Sequence, residues 1–170
     1  MDVNKSIEIV LKTFAAVEQR DVQRLIDLYH PEVEFHWPLS LPYGGTFRGR
    51  EAESRHGVTW SEIWDPLQPT EAERRMDPRV VAANEEGEVV VLWHQRGVSP
   101  EGELFDGEVL GLYQVREGKF ARAQMYYFDT AAVATFLTNS RQYIATERED
   151  EASAIDASSP DDAGVGSYRP

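Results

Sequence analysis

A single carboxylate, Glu108, stands among apolar positions of the segment LFDGEVLGLYQV and is the side chain whose setting most favours proton transfer. A carboxylate on the apolar side of a strand loses hydration, which raises its pKa and makes it a general acid or base near neutral pH. The alternative is that Glu108 is solvated near a sheet edge, or that it pairs with Arg96 or Arg122. The sequence leaves both possibilities open.

His56 is a second candidate for proton transfer because it shares one face of the predicted helix Glu51–Trp64 with two tryptophans. An imidazole in that position could exchange a proton with Glu108 near neutral pH. The alternative is an imidazole that simply packs on Trp60. The apolar face of this helix consists of Ala52, His56, Trp60, Ile63 and Trp64.

Three consecutive strands must position these groups. The runs EVVVLWHQRGV, LFDGEVLGLYQV and KFARAQMYYF are rich in β-branched and aromatic residues, and turn residues Ser99–Gly102 and Glu117–Gly118 separate them. This pattern predicts an antiparallel meander. A helix from Thr130 to about Leu137, capped by Asp129, follows it.

The part of the chain before the meander predicts helical cover for one face of the sheet. Apolar residues at helical spacing predict a helix over Val3–Gln19, and Asp21 caps a second, short helix that ends at His30-Pro31. The alternating run Val33–Trp37 predicts a strand, and a glycine-rich loop follows it. Another strand is predicted at Arg79–Ala83. The proline-rich stretch between residues 65 and 79 has no clear assignment.

The composition of the chain excludes several classes of function. The chain has 170 residues, a formal net charge of −13 and no cysteine. The acidity argues against a nucleic-acid partner, and the lack of cysteine excludes disulfides and thiolate chemistry. No apolar run approaches the ~20 residues that span a bilayer, and the first residues lack the pattern of a signal peptide, so a cytoplasmic location is expected.

The last thirty residues differ from the rest of the chain. From Glu147 to Pro170 there are seven acidic residues against two arginines, with few large apolar side chains. Such a segment cannot bury enough surface to offset its conformational entropy. We therefore expect one domain over residues 1–140 and an acidic, disordered tail over residues 141–170.

Cofactor motifs are missing from the sequence. There is no P-loop, dinucleotide fingerprint, His-Glu-x-x-His sequence or nucleophile elbow, so we expect no cofactor. His36 and His94 are expected to point away from the interior, and a histidine-based metal site is therefore not predicted.

The order of elements resembles the cystatin-like α+β cone of the nuclear transport factor 2 superfamily, and within it the SnoaL-like branch. The motifs that carry the resemblance are VEFHWP after the helix hairpin, GLYQVREGKF in the meander and YYFDTAAV at its end. The resemblance covers about Val3 to Leu137. It implies a curved, mostly antiparallel sheet around a cavity that three N-terminal helices cover. Its members include steroid isomerases, polyketide cyclases, epoxide hydrolases and binding modules.

The catalytic residues of two such groups are not matched. The resemblance places the steroid isomerase aspartate on Trp37, the oxyanion-hole tyrosine on Thr13 and the oxyanion-hole acid near Gly111. The epoxide hydrolase residues fall on Tyr126, Trp93 and Gln95. A hydroxyl donor at Tyr126 is then more plausible than attack by a carboxylate.

Side-chain direction follows from strand alternation once Tyr126 is assumed to face the cavity. Glu108, His56 and Tyr126 become the predicted catalytic set. The predicted substrate-binding residues are Phe35, Trp37, Tyr43, Trp60, Trp64, Trp93, Gln95, Leu110, Gln124 and Phe128. The outer face would present Leu92, His94, Met125 and Tyr127, an apolar patch that predicts a homodimer.

Three functions remain open at this point. The favoured hypothesis is a cofactor-independent enzyme that acts on a hydrophobic polyketide- or terpenoid-like molecule by acid-base cyclisation, isomerisation or epoxide opening. The second is a non-catalytic module that binds a small molecule. The third is a protein-interaction domain that uses the outer sheet face.

Overall fold

Two helices open the chain. The computed structural model describes residues 2–141, so nearly all of the predicted acidic tail lies outside the described residues. Helix α1 spans Val3–Gln19 and α2 spans Val22–Leu28. Arg20, in the left-handed conformation with φ 57°, ends α1, and the Asp21 carboxylate caps α2. The sequence predicted both helices, and the structure confirms them.

The remaining elements alternate between strands and short helices. In chain order they are β1 Tyr29–Trp37, β2 Gly45–Arg48, α3 Gly49–Val58, a π-helical segment Thr59–Trp64, a 3₁₀ turn Asp65–Leu67, α4 Glu71–Arg74, β3 Arg79–Ala83, β4 Glu88–Val98, β5 Leu104–Arg116, β6 Lys119–Tyr127 and α5 over residues 130–141. The helix predicted over Glu51–Trp64 is thus α3 continued by the π-helical segment.

All six strands form one curved, open sheet in the order β2-β1-β6-β5-β4-β3. Every neighbouring pair is antiparallel except β1 and β6, which run parallel. The meander strands β4, β5 and β6 are direct neighbours because consecutive antiparallel strands need only short turns. These features confirm the predicted α+β fold.

Strand alternation places the core on one face of the sheet. In β4, Val89, Val91, Trp93 and Gln95 are buried, while the residues between them are half-buried on the other face. Helix α1, α3 and the π-helical segment cover the buried face. The side chains that line any interior space therefore come from alternate positions of the strands.

The stretch between residues 65 and 79 closes one side of this layer. Leu67, Gln68 and Met76 are buried, and the Met76 carbonyl accepts a hydrogen bond from the His94 N–H at 2.8 Å. Its prolines interrupt regular structure, since proline lacks the backbone donor. The stretch thus continues the cover with 3₁₀ and single-turn pieces.

Candidate functional site

A cavity of about 60 Å³ lies between the buried face of the sheet and its helical cover. Nine of its seventeen lining residues are Phe, Tyr or Trp, and all four tryptophans of the chain contribute to its wall: Trp37, Trp60, Trp64 and Trp93. None of the lining side chains is an aspartate, glutamate, lysine or arginine. The wall is therefore apolar, with a few neutral hydrogen-bonding groups.

Seven of the residues predicted for the site do line the cavity: Phe35, Trp37, His56, Trp60, Trp64, Trp93 and Gln95. Tyr43 is buried immediately behind the wall, where its hydroxyl contacts the Tyr127 hydroxyl at 3.1 Å. These residues come from β1, the loop after it, α3, the π-helical segment and β4. The predicted direction of their side chains was correct.

The predicted inward direction of five other residues was wrong. Glu108, Tyr126 and Phe128 are exposed, and Leu110 and Gln124 are half-buried on the outer face. Val109, Gly111 and Tyr113 take the inward positions of β5, and Ala123, Met125 and Tyr127 take those of β6.

The error has a simple geometric origin. Trp93 pairs with Val109, which pairs with Tyr127, so these three residues share the inner face. Taking Tyr126 as the inward residue shifted β5 and β6 by one position, and such a shift transfers every side chain to the other face. The predicted outer patch was wrong at Met125 and Tyr127 for the same reason, whereas Leu92 and His94 do face outward.

The imidazole of His56 occupies the centre of an aromatic cluster and is only 8% exposed. Its Nδ1 lies 2.6 Å from the Tyr29 hydroxyl, and its Nε2 accepts the indole N–H of Trp60 at 2.6 Å. The ring stacks on Phe35 with 4.5 Å between centroids. Burial, reinforced by the charge of Arg20, lowers the pKa of His56 from 6.5 to about 3.

This hydrogen-bonding pattern fixes the protonation of His56. An indole N–H can only donate, so Nε2 must carry a lone pair and the ring must be neutral with its proton on Nδ1. The hydroxyl oxygen of Tyr29 then accepts a hydrogen bond from Nδ1–H of His56. Because Glu108 is on the other face of the sheet, the predicted proton-transfer pair of Glu108 and His56 is not brought together.

Tyrosine hydroxyls are among the polar groups at the cavity wall and directly behind it. Burial raises the pKa of Tyr43 to about 12, and burial also raises the pKa values of Tyr113 and Tyr127. All three are neutral O–H groups at physiological pH. Tyr113 and Tyr127 were not among the predicted site residues, and the β4-to-β6 register is the signal that would have found them.

Two buried donors on the cavity wall have no hydrogen-bond partner. They are Nε2 of Gln95 and Nε1 of Trp93, and both residues belong to the inner face of β4. The Trp93 indole lies near the Tyr113 hydroxyl without forming a hydrogen bond of normal geometry. Buried polar groups without partners are rare in folded proteins.

A larger groove of about 520 Å³ lies outside the cavity, between α2 and α3. Val17, His56 and Trp60 line both the groove and the cavity, so these side chains form the wall between them. Arg20 lies 5.0 Å from the centre of the Trp60 ring and pairs with Asp65 at 2.8 Å. Trp60 is thus held by His56 on one side and Arg20 on the other.

Comparison with known proteins identifies the family. The model of the SnoaL-like domain matches residues 10–123, about two thirds of the chain. The chain belongs to the SnoaL-like family. An uncharacterized protein of Mycobacterium tuberculosis is 25% identical over 136 residues, which are 80% of this chain and 98% of that relative.

Solved structures agree with the fold of this SnoaL-like protein. A nuclear transport factor 2-like protein of Burkholderia xenovorans superposes with a TM-score of 0.63 at 23% identity, over 81% of this chain and 98% of that one. TerC, co-crystallized with polyporic acid, superposes with a TM-score of 0.64 at 21% identity, over 79% and 98%. At these identities the likeness establishes the fold alone.

The positions at which the resemblance placed catalytic groups of steroid isomerases are uncharged in this SnoaL-like chain. Trp37 stacks on Phe35 with 5.2 Å between centroids. The Thr13 hydroxyl donates to the Ile9 carbonyl at 3.0 Å, and the ring of Tyr113 lies over Gly111. No group of three or more metal-ligating side chains occurs within residues 2–141, and no helix in that range is long and apolar enough to cross a membrane.

Proposed function

We propose that this SnoaL-like protein binds a small hydrophobic molecule in the aromatic cavity, with polyketide- or terpenoid-like compounds as the ligand class. The observation that carries the proposal is a cavity wall rich in aromatic side chains and without a formal charge. Apolar pockets with a few well-placed polar groups are the usual form of small-molecule sites. The hydrophobic contacts supply affinity, and the neutral polar groups orient the ligand.

The cavity is small, and its size limits which ligands fit without a movement of the wall. A volume of about 60 Å³ has room for roughly four or five water molecules and is less than half of the about 150 Å³ of a cavity that binds benzene. A larger ligand needs the adjoining groove, and Trp60 separates the two spaces. Trp60 lies in a π-helical segment, a form of helix that is often found at functional sites. Rotation of Trp60 is the proposed route of entry.

A second candidate function is cofactor-independent conversion of the bound molecule by cyclisation, isomerisation or epoxide opening. The observation in its favour is the hydrogen-bonded pair of Tyr43 and Tyr127, whose O–H groups remain protonated at neutral pH. Neutral donors activate an oxygen by hydrogen bonding. In this scheme Glu108 has no part, and His56 stays neutral, with its Nε2 occupied as the acceptor of the Trp60 indole N–H.

Assembly through the outer face of the sheet is a separate part of the proposal. Leu92, Leu110 and Tyr126 are direct neighbours across β4, β5 and β6, and Tyr126 is 49% exposed. Phe128 is 69% exposed beside them. An apolar stripe of this kind favours a second copy of the chain, with a different protein partner as the alternative.

Intrinsic fluorescence tests ligand binding directly because all four tryptophans line the cavity. Cyclohexanone is a single-ring neutral ketone that enters the cavity when Trp60 rotates, and we expect it to change the emission of the wild-type protein saturably. The variant Ala123→Leu adds three carbon atoms to the cavity wall and should abolish the change. The exposed control Ala82→Leu should bind like wild type.

The same titration distinguishes ligand binding at the inner face of the sheet from binding at the outer face. Glu108→Gln should bind cyclohexanone with an unchanged Kd because Glu108 is exposed on the outer face. Saturable binding that persists in Ala123→Leu would place the ligand elsewhere. Absence of any saturable response in the wild-type protein would contradict the proposed binding function for ligands of this size.

A further inference from the structure

The amide N–H groups of Gln95 donate a hydrogen bond neither to the backbone nor to another side chain. Gln95 lines the cavity and is 1% exposed. Its Nε2 has no hydrogen-bond partner. Leaving such a donor without a partner destabilises the folded state, since the amide loses its hydrogen bonds to water. A buried donor without a partner, in a side chain that lines an internal space, therefore indicates a missing acceptor.

A second buried glutamine provides a comparison within the same structure. Gln68 is 3% exposed, and both ends of its amide are used. Its Nε2 donates to the Arg96 carbonyl at 2.7 Å, and its Oε1 accepts from the Arg20 guanidinium. Gln68 thus links the 65–79 stretch to β4 as a structural residue. Gln95, on the same strand as Arg96, has no equivalent role for its N–H groups.

The surroundings of Gln95 define what the acceptor is. The cavity wall carries no charged side chain, so a charged oxyanion would enter without a counter-ion and at a high desolvation cost. A neutral carbonyl oxygen accepts from an amide N–H without that cost. The indole N–H of Trp93, two residues away on the same face, is a second donor for a ligand with another oxygen.

We propose that Gln95 determines specificity by donating its amide N–H to the carbonyl oxygen of a neutral hydrophobic ketone held in the cavity. The inference rests on the proposed ligand-binding function and adds the chemical class of the ligand. It assigns to the carbonyl oxygen of the ligand the acceptor role that a solvent molecule or a backbone carbonyl fills for most buried amides.

Two isosteric probes test this assignment. Cyclohexanone and methylenecyclohexane differ in having C=O or C=CH₂, so only the ketone accepts a hydrogen bond. The measured quantity is the Kd of methylenecyclohexane divided by the Kd of cyclohexanone, obtained by calorimetric titration. We expect this ratio to fall by up to about tenfold in Gln95→Leu relative to wild type, the effect of one lost hydrogen bond.

The control variant is Gln114→Leu, which makes the same substitution at a half-buried position of β5 on the outer face of the sheet. Its Kd ratio should equal that of the wild type. A ratio that is unchanged in Gln95→Leu would overturn the role of Gln95 and leave the proposed binding function intact. Failure of both probes to bind the wild-type protein would contradict the proposed function itself, and the assignment of Gln95 with it.

Thermal unfolding of the ligand-free protein gives an independent readout. Because Gln95→Leu removes an unpartnered donor from an apolar site, we expect its Tm to rise by about 2–5 °C. A structural glutamine such as Gln68 would behave oppositely, and Gln68→Leu should lower the Tm. A fall in Tm of the same size in Gln95→Leu would show that the fold itself uses the amide, and would overturn the proposal.

Discussion

The indole of Trp60 donates a hydrogen bond to Nε2 of His56 at 2.6 Å, and this single contact fixes the charge state at the centre of the cluster. Protonation of Nε2 would remove the acceptor and place two donors against each other. The stacked ring of Phe35 gives no compensating hydrogen bond to an imidazolium. His56 is therefore an uncharged component of the wall between cavity and groove.

This arrangement makes the stability of the protein depend on pH. The unfolded chain binds a proton at His56 below about pH 6.5, whereas the folded protein resists protonation down to about pH 3. The free energy of unfolding should therefore fall as the pH decreases from about 6.5. At pH 5 the His56 contribution to this loss amounts to about 2 kcal/mol. Denaturant unfolding at a series of pH values measures it.

Two controls isolate the contribution of His56. The variant His56→Gln cannot titrate, and its stability should change less between pH 6.5 and 5 than that of the wild type. The ¹⁵N resonances of the wild-type ring should show a proton on Nδ1 and none on Nε2 throughout this range. An imidazole that titrates with a pKa near 6.5 in the folded protein would contradict the assignment.

The contact between Gly111 and Tyr113 yields a second prediction. Tyr113 lies along its own strand, and its ring and hydroxyl occupy the space where a side chain at position 111 would stand. Gly111→Ala should therefore displace Tyr113 and destabilise the protein by about 1–3 kcal/mol, as overpacked cores do. Thermal or denaturant unfolding checks this value, and a loss of cyclohexanone binding should accompany it.

Gly57 is the matched control for the same substitution. It lies in α3, and a Cβ at this position would meet no atom within 4 Å. Gly57→Ala should stabilise the protein by about 0.5–1 kcal/mol because alanine favours the helix. If Gly111→Ala and Gly57→Ala changed the free energy of unfolding equally, the position of Tyr113 would not depend on the absence of a side chain at Gly111.

Sequence patterns predicted the elements far better than the directions of their side chains. Strand bounds in the meander were almost correct because turn residues delimit each run, as Glu117 and Gly118 do between β5 and β6. The inner face of β4 was also correct. The faces of β5 and β6 depended on one assumed anchor, Tyr126. The polar residues Glu108, Arg122 and Gln124 all lie on the outer face with it, so the alternation of polar and apolar residues was the signal that could have corrected the anchor.

The polar groups of the site show a second limit of sequence analysis. His56 was predicted at the cavity because helical spacing places it with the tryptophans. Its neutral state follows only from the distances to Tyr29 and Trp60. The free amide of Gln95 is equally invisible in a sequence, because whether a buried donor has a partner depends on contacts between distant segments.

The outer face of the sheet yields the last prediction. Tyr126 is half exposed next to Leu110, in a row that continues to Leu92 on β4. If this row packs against a second copy, Tyr126→Glu places two carboxylates in an apolar interface and should raise the dimer dissociation constant by at least tenfold. Sedimentation velocity over a range of protein concentrations measures this constant.

The control Leu39→Glu introduces the same charge at a side chain that is 87% exposed in the loop before β2, and it should leave the dissociation constant unchanged. A wild-type protein that remains monomeric at the highest concentration would exclude assembly of copies through this face, and the exposed row would then be assigned to a different protein partner.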